Sequence, residues 1–72
     1  MKIFALLFSI DAYEREELAR MTDQELYDLA SVASSVGYDE ASVMTLEELS
    51  YKVNEDIISL DSVWLYFVSI NQ

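Results

Sequence analysis

Carboxylates dominate the residues of this chain that could do chemistry. The closest groupings are Asp39-Glu40, and Glu55-Asp56 with Asp61, and what they could offer is capture of a hard cation. A calcium loop needs acids at alternating positions, then glycine, then a distant glutamate. Neither grouping has that spacing, and the single glycine, Gly37, precedes the first pair. Solvated surface acids are the simpler reading. Ser34, Ser35, Ser50 and Ser59 are candidate nucleophiles, but the chain has no histidine and no cysteine. Neither a Ser-His-Asp relay nor a thiolate centre can therefore be built. Lys2 and Lys52 have no glycine-rich phosphate loop beside them. Carboxylate-only acid/base work would need a cleft of several hundred cubic ångströms, for which so small a domain has little room. No catalytic, cofactor-binding or metal-ligating residue is assigned, and the expectation is a protein that is not an enzyme and uses no cofactor.

The charge itself has two readings. Fourteen acids against four bases leave a formal charge of −10 on 72 residues. That balance excludes direct nucleic-acid binding, which needs cations to displace counterions from phosphates. Glu14, Asp23, Glu25, Glu47 and Glu48 fall where first helical turns are expected, and the helix dipole favours anions there. Glu16–Arg20 and Glu48–Lys52 have the favourable acid-first spacing of i to i+4. The remaining acids are scattered as a solvated surface requires. The alternative reading is an acidic mimic of nucleic acid that inhibits a DNA- or RNA-binding protein by occupying its basic channel.

The elements that would position these residues are marked by their ends. Met21-Thr22-Asp23-Gln24-Glu25-Leu26 and Met44-Thr45-Leu46-Glu47-Glu48-Leu49 share the pattern M-T-x-x-E-L. In each, threonine caps the N–H three residues on, glutamate reaches back to the threonine N–H, and methionine packs on leucine. A third start is expected at Asp11. The spacing predicts helices over 12–20, 23–36 and 46–54, with Gly37 as a left-handed C-terminal cap over which Tyr38 folds back. Residues 38–44 read as loop. Residues 55–61 lead into a final strand, with Ile57, Ile58 and Leu60 as anchors.

Residues 2–10 and 62–70 read as strands, because aromatic and β-branched side chains suit a pleated, buried surface. Both are apolar on both faces. Ile3, Ala5 and Leu7 oppose Phe4, Leu6, Phe8 and Ile10, while Val63, Leu65 and Phe67 oppose Trp64, Tyr66, Val68 and Ile70. A sheet with one face in water should alternate with polar residues. Either the helices wrap both faces, or another chain covers a face or an edge. On the second reading Phe4, Leu6, Phe8, Trp64, Tyr66 and Val68 are the expected interface, aromatic side chains being common binding anchors. The expected partner is a second copy or another protein. A folded chain of 8.3 kDa should expose about 4,600 Å², and covering apolar surface by association would help so small a core.

The run from Lys2 to Ile10 is too short for a membrane span and is not followed by a small-x-small cleavage pattern. The expectation is a cytoplasmic protein without membrane attachment, as the lack of disulfides also suggests. With no linker or low-complexity tract, residues 1–72 are expected to form one domain. The fold expected is α+β: strand, three helices, strand, with the two terminal strands paired antiparallel and packed on the helices. An initial strand, M-T-[DE]-x-E-L, a T-x-E-E helix start, N-E-D-I-I and W-x-Y-F-[VI] together resemble small uncharacterised acidic proteins of gut Bacteroides-type bacteria. The resemblance covers most of the chain and implies the strand–helices–strand order, but no activity.

Overall fold

A computed structural model describes residues 1–37 and 40–71. In chain order the elements are β1 (Lys2–Ser9), α1 (Arg15–Ala19), α2 (Asp23–Ser35), β2 (Ala41–Thr45), α3 (Leu46–Asn54), a 3-10 turn (Leu60–Ser62) and β3 (Val63–Ile70). The sheet has the order β2-β1-β3, so the N-terminal strand is central. Both neighbours run antiparallel to it, with Ala5 opposite Met44 on one side and Phe67 on the other. The terminal strands pair antiparallel as expected.

The additional strand is β2, which replaces most of the loop expected at 38–44. Its signal is hidden because Met44-Thr45 serves two elements. Thr45 has extended backbone angles, φ −73° and ψ 163°, which suit both the last residue of a strand and the N-cap of α3. The strand therefore passes into the helix with no linker between them.

The two M-T-x-x-E-L starts seat on opposite faces of the sheet. Met21 and Leu26 join a core with Leu6, Phe8, Leu18, Ala30, Val68 and Ile70. Met44 and Leu49 join a second core with Ala5 and Leu7. The double-sided apolar pattern of β1 is thereby explained within the chain: α1 and α2 cover one face, and α3 lies on the other. Thr22 forms the full reciprocal box, its Oγ1 accepting from Glu25 N–H at 3.2 Å and its own N–H donating to Glu25 Oε1 at 3.0 Å. Thr45 makes the forward bond, from Glu48 N–H at 3.1 Å. Glu48 instead extends along α3 to Lys52, at 3.2 Å.

The first helix departs from expectation. It begins at Arg15, and Glu14, not Asp11, is its N-cap, without a side-chain bond. The chain after β1 turns first, the carbonyl of Ser9 accepting from the N–H groups of Ala12 and Tyr13. Arg20 is the C-cap, past the last helical residue, and makes no ion pair with Glu16. Among the described residues Lys52–Glu48 is the only ion pair.

Both longer helices end through left-handed residues. Gly37 has φ +81° and donates its N–H to Ser34 O. Tyr38, expected to fold over that end, lies outside the described residues. At the end of α3 Asp56 takes φ +57°, with Asp56 N–H on Val53 O and Ile57 N–H on Lys52 O. This is the paired-bond motif for which glycine is usual. Of the expected anchors, Ile58 packs on the second core while Ile57 and Leu60 are exposed.

Candidate interaction surface

Among the described residues no three His, Cys, Asp or Glu side chains gather where they could hold a metal. Asp39 of the first acidic grouping lies outside the described residues. No polar or charged residue is buried among those described. No described helix is long and apolar enough to cross a membrane.

The six side chains expected at an interface all lie on the face that α1 and α2 cover. Leu6, Phe8 and Val68 are fully buried there and have no surface to offer. Phe8 meets Tyr13 and Tyr66 edge-on, at ring distances of 5.2 and 6.0 Å, and Phe4 meets Tyr27 at 5.3 Å. Trp64 is tied in by its indole N–H, which donates to Tyr13 O at 3.0 Å. Burial, and secondarily the nearby Glu40 charge, raises the Tyr13 phenol above its ordinary range. Their aromatic character serves the chain's own core.

The apolar surface left open is on the opposite face. α3 packs on β1 and β2, and the outer half of that face stays uncovered. Phe67 is 57% exposed and Ile3 53%. They are diagonal neighbours on one face, since Ala5 stands opposite Phe67 and Ile3 opposite Ser69. A shallow cleft of Met1, Ile3, Thr45, Leu46 and Glu47 continues this strip toward α3.

Beside the strip runs the outer edge of β3. Ile10 N–H donates to Ser62 O at 3.2 Å, continuing the β1–β3 ladder one hydrogen-bonded rung beyond the Ser9–Val63 pair. Antiparallel rungs alternate, so the even residues of β3 bond to β1 and the odd ones turn their backbone groups outward. Ser69 shows this directly, because its N–H is taken by the Asp23 carboxylate at 3.1 Å. Val63, Leu65 and Phe67 are left presenting open backbone groups. A groove lined by Arg15, Val63, Trp64, Leu65 and Tyr66 follows that stretch. The apolar strands are as unusual as their residues indicate, but of the six side chains expected at an interface Leu6, Phe8 and Val68 are core, while Trp64 and Tyr66 line the edge groove. The period-2 alternation was legible; which face the larger helical layer would cover was not.

Fold and surface together define a small α+β protein: a three-stranded antiparallel sheet with helices on both faces and one long open edge. The chain matches no protein-family model, no curated protein and no solved structure.

Proposed function

We propose that this chain is a small, non-enzymatic protein–protein interaction module that associates with itself through apolar strand surface. The observation that carries the reading is Phe67, a large side chain 57% exposed in the middle of a regular strand, next to Ile3 and to an open edge. Large aromatic side chains held on a rigid element lose little freedom when a partner covers them. The accessible surface is 5002 Å², about 400 Å² more than the roughly 4,600 Å² expected of a monomer of this mass. Covering that much on each of two copies would bury about 800 Å², below the roughly 1,200 Å² of a standard specific interface and in the range of weak, transient contacts. The module is therefore a monomer when dilute and a dimer when concentrated.

Light scattering after size exclusion, over a concentration series, tests this. The expected result is a mass that rises toward twice 8.3 kDa, with Phe67→Asp holding the chain at the monomer mass. A wild-type mass that stays monomeric at every concentration would refute the reading. Salt-sensitive binding of that monomer to a basic protein would then favour the acidic-mimic alternative.

A further inference from the structure

Given the self-association proposed above, on which this rests, we infer that two copies join edge to edge. The β3 strands pair antiparallel about a two-fold axis at Leu65, making one six-stranded sheet. The open stretch of β3 is bounded at both ends. On one side the 3-10 turn at Leu60–Ser62 ends the extended backbone. On the other, Asp23 has already taken the outward N–H of Ser69. Between them the outward-facing residues are Val63, Leu65 and Phe67, and Leu65 is their centre. Antiparallel pairing about that centre sets Leu65 against Leu65 of the second copy, and Val63 and Phe67 against each other. Each open rung on one copy then meets an open rung on the other, and none is wasted. The exposed Phe67 ring comes to lie beside Val63 of the second copy, on the face that α3 leaves uncovered.

Length selects this edge over the other one, and its lack of charge permits the contact. Two copies that each carry −10 repel unless they meet through an uncharged surface. β3 has eight residues, none of them charged and none proline or glycine, and its register with β1 is unbroken from end to end. Monomeric proteins usually protect such an edge with charges, bulges or brevity. β2 shows the protected form, only five residues long; the acids beside β3, Asp61 and Asp23, lie at the two ends of its open stretch. The one charged side chain lining the β3 groove is Arg15, whose sign reduces the repulsion between two acidic copies. The occupant that fits a self-complementary, uncharged edge of this length is a second copy of the same edge.

The chain has no cysteine, so single cysteines report geometry cleanly. Opposed residues on a hydrogen-bonded antiparallel rung have Cα atoms about 5.5 Å apart. Leu65→Cys should therefore be joined to its counterpart by a short bifunctional thiol reagent. Phe67→Cys should not, because its counterpart lies four residues along, roughly 14 Å away. Cross-linking of Phe67→Cys and not of Leu65→Cys, in a chain that dimerises, would overturn edge pairing in favour of face-to-face packing while leaving self-association intact. Hydrogen exchange on the unmodified protein provides a second reading that needs no variant. The Leu65 and Phe67 amides should slow about tenfold or more between dilute and concentrated samples. The Tyr66 amide, already bonded to β1, should not change. Equal exchange at Leu65 and Phe67 across concentrations at which the mass doubles would also overturn the pairing.

Discussion

Phe8 and Phe67 are both strand phenylalanines, on the two strands that form the sheet's longest ladder, yet one has no exposed surface and the other is more than half exposed. They point to opposite faces. The Phe8 face is met by α1 and by the thirteen residues of α2, which extend across to β2 and β3. The Phe67 face is met by the nine residues of α3, which sit over β1 and β2. The difference teaches that an apolar residue in a strand says little about burial until the length and placement of the covering helix are known. It also separates two roles for one residue type, holding the fold together on one face and presenting surface on the other.

Removing each ring tests that contrast most directly. Phe8→Ala should cost about 3–5 kcal/mol in urea unfolding, through lost burial and an unfilled cavity. For a chain of this size that approaches the whole stability. Phe67→Ala, measured dilute, should change stability by no more than about 0.5 kcal/mol. Similar losses at both positions would show that the two faces are equally structural, and would remove the basis for assigning the second to a partner.

The helix starts sharpen the same comparison at smaller scale. Thr22→Ala removes a reciprocal box beneath the larger layer, and Thr45→Ala a single forward bond beneath the smaller. Both should lower stability by roughly 1 kcal/mol, with the Thr22 change the greater. The two helix ends give an opposite pair. Gly37→Ala forces a side chain into φ +81°, where no neighbouring atom obstructs it, so its cost of about 1 kcal/mol is conformational. Asp56→Gly relieves the corresponding strain at φ +57° and should raise the melting temperature, gaining about 0.5–1 kcal/mol.

The smallest expected effect is one of pH. The Thr22 N–H, and then the Thr22 hydroxyl, hold the Glu25 carboxyl below its ordinary value of 4.5. A carboxyl whose value is depressed in the folded chain stabilises it above the unfolded value, and that contribution is lost as pH falls through the folded one. Acid titration of wild type should therefore show a small loss of stability below pH 4.5 that Glu25→Gln lacks. Because Glu25 is solvent-exposed, the difference reads the start of α2 and does not report a buried charge.

Much of this architecture was legible in one dimension. Thr22 and Thr45 announced helix starts because capping is local, and satisfying the first N–H groups needs only residues three apart. Gly37 announced a helix end for the same reason. The alternation along 2–10 and 62–70 separated the apolar residues of β1 and β3 into their two faces, since successive side chains must point oppositely. What stayed hidden depends on partners distant in sequence. Strand β2 is short and shares Thr45 with a helix, so only its pairing with β1 declares it. The first helix was expected three residues early, because the turn on the Ser9 carbonyl and the tie from Trp64 to Tyr13 involve groups that spacing does not display.

The amino-acid sequence by itself determined the class of fold, the ends of the two longer helices, the two-faced character of the terminal strands and the absence of imidazole and thiol chemistry. Each of these follows from side-chain type or from contacts within one turn. Only the tertiary structure decided which aromatic residues became core and which became surface, and which edge was left unpaired. Those outcomes depend on where two helices of unequal length come to rest on one sheet. That placement follows from the packing of all the elements together, and no local pattern encodes it.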